Sequence, residues 1–133
     1  LVATLRCIVA QRLLRLTCER CAAPDTTTES AALLTQLAQG TTIDPETVAR
    51  ASLVRGVGCD SCGKSGYRGR TAIYEVLEIS PVIQEAVAAG ATAPEIKRFA
   101  AVEGMQTLRV AALEKAISGR TTVSEGLRHT AGD

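Results

Sequence analysis

Two cysteine pairs constrain the fold of this chain more than any other feature of its sequence. The pairs are Cys18-Glu19-Arg20-Cys21 and Cys59-Asp60-Ser61-Cys62, and residues 22–58 lie between them. Each CxxC turn can present two thiolates, so the two turns together can fill a tetrahedral metal shell. Because the intervening segment is longer than the roughly 15–20 residues of a compact zinc site, the spacing predicts two knuckles joined by an inserted subdomain.

The same four thiols could instead form disulfides or redox-active pairs. The sequence opens without the basic segment and cleavage site of a signal peptide, and the pairs are duplicated, so we favour a structural metal site. Zinc is the first choice and iron the second, since both accept four thiolates. The predicted ligands of one zinc ion per chain are Cys18, Cys21, Cys59 and Cys62.

Composition narrows the class of protein further. Hydrophobic residues make up 46% and charged residues 22%, which is typical of one small globular domain. The formal net charge of +1 argues against nucleic-acid or anionic-membrane binding driven by overall charge. No apolar run approaches the ~18 residues that a membrane span needs, so we expect no direct span.

The opening residues predict an amphipathic helix that the chain enters part-way. Leu1, Leu5 and Ile8 fall on one helical stripe, which is typical of an element that starts further upstream. We therefore expect a piece of a longer protein, with residues 1–10 as the end of a helix. Cys7, among apolar neighbours, is predicted to be a buried small hydrophobe.

Three segments predict strands. Residues 12–16 and 53–57 are expected to lead into the first and second cysteine pairs. Residues 71–79 are the most strand-like, because they are rich in β-branched and aromatic side chains.

Helices are predicted from capping residues, in the insertion and from residue 80 onward. Leu113 and Ile117 are expected to face the core, and residues 129–133 are predicted to form a frayed tail. The predicted helix starts are Thr26 (with Glu29), Asp44, Ser80, Thr92 (with Glu95), Thr107 and Thr122 (with Glu125).

Residues 58–65, GCDSCGKS, formally match the pattern of a phosphate-binding loop. That chemistry needs a helix after the loop, whose N-terminal amides face the phosphates. The sequence continues as GYRGR, which does not favour a helix, and two of the variable positions are the metal ligands Cys59 and Cys62. We interpret the match as accidental and predict no catalytic or cofactor-binding residue here.

Three stretches in this order carry a resemblance to a known family. They are VAQRLLRLTC at residues 9–18, GYRGRTAIYE at 66–75 and GMQTLR at 104–109, with the cysteine pairs among them. The chain resembles, from about residue 1 to residue 127, the C-terminal part of the type II secretion and type IV pilus assembly ATPases.

That resemblance implies a fold class and a domain organisation. The fold would be α+β and mostly helical, as the C-terminal fragment of a RecA-like P-loop ATPase domain. Residues 1–17 would end the RecA-like core, and residues 18–70 would form the tetracysteine zinc-binding subdomain with its helical insertion. Residues 71–128 would form a strand and a small helical bundle.

The resemblance also implies a function for the whole protein. Family members are hexameric motors, cytoplasmic and peripheral at the inner face of the cell membrane, that hydrolyse ATP with Mg²⁺ to drive export or pilus assembly against an inner-membrane platform protein. Their phosphate loop, acidic and histidine boxes and arginine-bearing N-terminal domain belong upstream of Leu1. We therefore expect this chain alone to be inactive and to act as a structural and interaction part.

Four arginines are the remaining candidates for a site. Arg68 and Arg70 lie with Lys64 in a local basic cluster, and Arg12 and Arg15 follow the predicted opening helix. Arg68 and Arg70 would contact a neighbouring subunit or lie near the nucleotide, or else be solvated charges, one of which pairs with Glu75 or Glu78. Arg12 and Arg15 would lie near the adenine or ribose of the nucleotide, or else merely flank a short strand. No chemistry is assigned to His129, the only histidine.

A stand-alone zinc-ribbon adaptor, binding protein or nucleic acid, is the alternative function. We do not favour a nucleic-acid partner, because such binding needs several phosphate contacts and often aromatic stacking. Only Tyr67 lies near the basic cluster.

Overall fold

The computed structural model describes residues 4–132, which form an α+β fold as predicted. Six α-helices and two antiparallel two-stranded sheets make up this range, and the sheets pair β1 with β4 and β2 with β3. The elements are β1 (Cys7–Thr17), β2 (Ala22–Pro24), α1 (Thr28–Ala38), α2 (Pro45–Ala49), β3 (Val54–Gly56), β4 (Tyr67–Glu78), α3 (Pro81–Ala88), α4 (Ala93–Val102), α5 (Leu108–Ile117) and α6 (Val123–Thr130).

The opening helix is a wrong prediction, because residues 7–10 belong to the long strand β1. In the ribbon that β1 forms with β4, Ile8 lies opposite Leu77 and Val9 opposite Val76. A helical stripe over ten residues is weak evidence, and cross-strand pairing of β-branched side chains overrides it. Cys7 is exposed at the end of this ribbon, so its predicted burial is also wrong. Leu1 lies outside the described residues.

Helix starts are predicted well, with one shift. The first helix is capped by Thr27, whose side chain accepts from the amide of Ser30, rather than by Thr26. Asp25 explains the shift, because its carboxylate accepts hydrogen bonds from Thr27 and Ser30 and fixes the turn one residue later. The caps found where the sequence predicts them are Asp44, Ser80, Thr92, Thr107 and Thr122.

The core forms two clusters that share α5. Leu113 and Ala116 of α5 pack with α1, around Leu34 and Leu37, while the adjoining face of α5 packs on the ribbon through Leu14 and Ile73. Leu113 is buried as predicted, and Ile117 packs, partly buried, at the edge of the first cluster. The insertion between the cysteine pairs and the C-terminal helices therefore share one core.

The last helix extends beyond its predicted end. Helix α6 continues to Thr130, which is 2% exposed and accepts a hydrogen bond on its carbonyl from Arg109 at 2.9 Å. Gly126 lies against Ala112 of α5, so the helix can approach closely enough to be held along its length. The predicted frayed tail is thus wrong for residues 129 and 130, which are helical.

Candidate metal centre

Four sulfur atoms meet beside the end of β1. The Sγ atoms of the predicted ligands all lie within 4.8 Å of one another. Cys18–Cys59 and Cys21–Cys62 are separated by 3.9 Å and Cys59–Cys62 by 3.7 Å. Tetrahedral zinc with Zn–S bonds of about 2.3 Å has S···S edges of about 3.8 Å, whereas a disulfide joins sulfurs at about 2.05 Å. The cluster can therefore hold one tetrahedral metal ion.

Main-chain hydrogen bonds build the two knuckles and join them. In the first, the Cys21 amide donates to the Cys18 carbonyl at 3.1 Å. The second is a 3-10 turn at Asp60–Cys62, closed by a hydrogen bond from the Cys62 amide to the Cys59 carbonyl. The Cys18 amide donates to the Gly66 carbonyl at 2.9 Å, which brings distant parts of the sequence to one site.

Two glycines permit this approach. A Cβ on Gly56 would lie 2.0 Å from the Gly66 carbonyl oxygen, and a Cβ on Gly66 would lie 2.4 Å from the Gly56 carbonyl oxygen. Gly66 also has φ +78°, a left-handed conformation that costs other residues free energy. The backbone contact behind the second knuckle therefore requires glycine on both sides.

Amide donors point at the sulfurs. The Cys59 and Gly66 amides donate to Cys62 Sγ, each at 3.3 Å, and the Gly58 amide donates to Cys21 Sγ at 3.3 Å. The hydrogen bond from the Cys59 amide lowers the pKa of Cys62 to about 6. The hydrogen bond from the Gly66 amide acts in the same direction, and burial opposes both. Burial raises the pKa of Cys21 to about 11 despite the Gly58 donor. A bound cation would supply the positive charge that the buried Cys21 thiolate needs.

Residues 58–65 do not form a phosphate-binding loop. Strand β4 follows them at Tyr67, so no helix N-terminus faces a phosphate. Lys64 Nζ pairs with Asp60 at 2.8 Å, and Ser65 Oγ donates to the Cys62 carbonyl. Both polar side chains thus contact the second knuckle itself.

Three of the four candidate arginines lie at the surface. Arg12 donates to the neighbouring Gln11 carbonyl, and Arg68 donates to the Ser61 hydroxyl. Within residues 4–132 neither these two nor Arg70 forms an ion pair, so the pairing with Glu75 or Glu78 does not occur there. All three side chains are exposed, although those of Arg12 and Arg68 already make one hydrogen bond each.

Arg15 has a role that the sequence does not reveal. Its guanidinium donates to both carboxylate oxygens of Glu125, with Nη2–Oε2 at 2.7 Å, and its amide donates to Oε1 at 3.0 Å. His129 Nε2 lies 3.2 Å from Oε1, and the Arg15 guanidinium stacks 4.1 Å above the Tyr67 ring. The Tyr67 hydroxyl contacts Thr122 Oγ1 at 2.7 Å. We call these five residues the Arg15–Glu125 clasp.

The clasp fastens the last helix to the strand that leads to the first knuckle. Glu125 is 1% exposed, and burial alone would raise its pKa, but the hydrogen bonds from Arg15 outweigh burial and lower the pKa below its usual value. A buried carboxylate is tolerated when paired and hydrogen-bonded in this way. In the sequence, Thr122 and Glu125 match a capping box, and nothing marks Arg15 as a partner 110 residues away.

Fold and site together define a small α+β domain with four clustered cysteines that could hold a metal ion. A family model described as Type II/IV secretion system protein matches residues 1–128, and the chain belongs to that family. The predicted resemblance is thereby confirmed.

Curated relatives carry two kinds of name. Type IV pilus assembly ATPase PilB of Myxococcus xanthus is 37% identical over 98% of this chain, and that of Thermus thermophilus is 40% identical over 92%. Type II secretion system protein E of Aeromonas hydrophila is 33% identical over 100% of the chain. The matched regions cover 22%, 13% and 25% of these relatives, respectively, so the chain spans only a part of their length.

None of the helices within residues 4–132 has both the length and the apolar character needed to cross a membrane.

Proposed function

We propose that this chain is the zinc-binding structural portion of a motor that drives protein export or pilus assembly. The observation that carries the proposal is the cluster of four thiols, all within 4.8 Å of one another, in a chain of this family. Cys18, Cys21, Cys59 and Cys62 would hold one zinc ion. The ion would supply no reaction chemistry there, since four thiolates leave no open position for water or substrate.

The metal would fix the end of β1 against the start of β4. Cys18 follows β1 directly, and Gly66, whose amide donates to Cys62, precedes β4 directly. A four-thiolate site would therefore tie the first knuckle to the second at the point where the β1–β4 ribbon begins. Structural zinc contributes an apparent ~10–16 kcal/mol in small metal peptides, which is comparable with the whole stability of a domain.

ATP hydrolysis would belong to the longer protein. In this proposal residues 1–17 complete a RecA-like core, residues 18–70 are the zinc subdomain and residues 71–128 add a strand and the helical bundle. The longer protein would be a cytoplasmic hexamer that binds ATP and Mg²⁺ and acts at the inner face of the membrane, against a platform protein. The names of the relatives, all pilus assembly ATPases or secretion proteins, support this assignment.

Arg12, Arg68 and Arg70 would be available for contacts within such a hexamer or near its nucleotide. All three are exposed and none has an ion pair within the described residues. Arg15 would act differently, because its guanidinium already neutralises Glu125. We therefore place Arg15 in the structural support of the subdomain.

Metal analysis of the purified 133-residue chain tests the proposal. We expect one zinc ion per chain by inductively coupled plasma mass spectrometry, and cobalt substitution should give the absorption of a tetrahedral thiolate site. Iron in place of zinc would change the proposed identity of the metal but leave the proposed four-thiolate site in place. No bound metal, with four thiols that react rapidly with a thiol reagent, would overturn the metal assignment in favour of redox chemistry.

A separate measurement tests the motor assignment. The coding sequence upstream of Leu1 should encode a phosphate loop preceded by a strand and followed by a helix. If the gene instead begins near Leu1, the chain is a stand-alone zinc-ribbon adaptor.

A further inference from the structure

A cleft of about 430 Å³ lies beside the first knuckle, and Cys18 of the sulfur cluster forms part of its wall. Three chain segments form its walls: the first knuckle, the start of β4 and the turn between α5 and α6. The cleft has the size of a typical small-ligand pocket. Of its lining residues, the proposed function uses only Cys18 and Arg68.

Each wall contributes one arginine. Arg20 comes from the first knuckle, Arg68 from β4 and Arg120 from the turn, and one carboxylate, Glu19, also lines the cleft. Arg68 donates to Ser61, while Arg20 and Arg120 form no ion pair within residues 4–132. Three guanidinium groups against one carboxylate make the cleft electropositive.

A buried hydroxyl provides an independent observation. Thr17, which lines the cleft, is 6% exposed, and its Oγ1 has no hydrogen-bond partner in the described part of the chain. Its amide donates to the Arg120 carbonyl at 2.9 Å, so the residue is held in place. Buried hydroxyls in native proteins almost always have a partner; because the Thr17 Oγ1 is itself shielded from solvent, its donation to a ligand in the cleft would require the Thr17 side chain to rotate.

We propose that this cleft binds a phosphate group, with Arg20, Arg68, Arg120 and the Thr17 hydroxyl as its donors. A phosphate presents oxygens in several directions and suits donors arriving from three walls, whereas one arginine satisfies a planar carboxylate. The three arginines outnumber the single carboxylate of Glu19, so the cleft keeps a net positive charge that attracts an anion. The proposal does not depend on the motor assignment, since all the donors lie in this chain.

Titration of the metal-loaded chain with inorganic phosphate, followed by amide NMR spectra at constant ionic strength, tests the site. We expect saturable shifts at the amides of Thr17, Gly69 and Arg120. The double variant Arg20→Gln/Arg120→Gln should bind at least about tenfold more weakly, since each lost charged hydrogen bond typically costs that much. Arg70→Gln is the matched control, because Arg70 is exposed on the same strand as Arg68 but does not line the cleft.

A second variant tests the contribution of the Thr17 hydroxyl separately from that of the positively charged arginines. Thr17→Val keeps the shape of the buried side chain and should weaken phosphate binding a few-fold. Because it also removes an unpartnered polar atom, it should not lower the melting temperature of the phosphate-free chain. A merely structural hydroxyl would leave phosphate affinity unchanged and so contradict its role as a donor.

Vesicles of phosphatidylglycerol distinguish the source of the phosphate. Sedimentation with vesicles that requires Arg20 and Arg120 would assign the site to a lipid headgroup, and binding of inorganic phosphate alone would assign it to a soluble compound. The proposal is overturned if neither probe binds, or if Arg70→Gln weakens binding as much as the double variant does.

Discussion

The candidate metal centre and the Arg15–Glu125 clasp both lie at the end of β1, yet they are built by opposite means. The centre joins four thiols that occur in pairs three residues apart, on turns shaped by local hydrogen bonds. The clasp joins single residues from β1, β4 and α6 through one buried carboxylate. Four cysteines that occur as two CxxC pairs can be recognised from their spacing in the sequence. An ion pair such as Arg15–Glu125 cannot, because it depends on how distant elements pack.

The two regions should differ in how much stability they contribute. Cys18→Ser should have the largest effect of any single change, because Cys18 is fully buried and three thiolates hold zinc less tightly than four. We expect loss of metal and of cooperative unfolding around both knuckles, measured by metal content and by thermal denaturation. Cys7→Ser is the control, since Cys7 is exposed and outside the cluster, and it should behave like the parent chain. Equal metal binding by Cys18→Ser would refute a four-thiolate site.

Gly66→Ala should be the next most damaging change. It combines left-handed strain of about 1–3 kcal/mol with a backbone clash against Gly56, so we expect a loss of more than about 3 kcal/mol in the free energy of unfolding. Gly40→Ala is the matched control, because Gly40 has φ +73° with no atom near its would-be Cβ. Denaturant titration of both variants measures the clash as their difference, and equal losses would show that the close approach is unimportant.

Replacing either member of the Arg15–Glu125 ion pair should lower the stability of the chain without removing its metal. Arg15→Met leaves Glu125 buried without its cation, which should cost about 3 kcal/mol. Glu125→Gln leaves Arg15, whose side chain is 42% exposed and can be hydrated, so its cost should be smaller, about 1–2 kcal/mol. Both variants should keep a full complement of metal. Chemical denaturation with metal analysis checks this, and metal loss in either variant would mean that the two regions are not independent.

Lowering the pH should reduce, by a small amount, the stability that the clasp contributes. The pKa of Glu125 is lowered in the folded chain from its usual 4.5, so its ionised form stabilises the fold above that value. This stabilisation is lost as the pH falls through the lowered folded pKa. The stability difference between the parent chain and Glu125→Gln should therefore shrink on acidification below about pH 4.5, as denaturant titrations at each pH would show. A difference that stays constant would mean that Arg15 does not favour the charged carboxylate.

Much of the fold and the grouping of the four cysteines could be predicted, because they depend on local rules. Asp44, Ser80 and Thr107 cap helices where the sequence places them, since a cap needs only its own turn. The opening strand could not be predicted in the same way. Ile8 and Val9 satisfy a helical stripe, and only their partners on β4, more than sixty positions away, make them a strand.

The sequence by itself singled out Cys18, Cys21, Cys59 and Cys62 as one group, because paired cysteines at this spacing have few physical uses. Tertiary structure alone decided that Arg15 neutralises Glu125, that residues 129 and 130 are helical rather than frayed, and that three arginines share one cleft. The physical reason is range: thiol pairs and helix caps are built within a few residues, whereas buried charges and clefts arise only where remote segments meet.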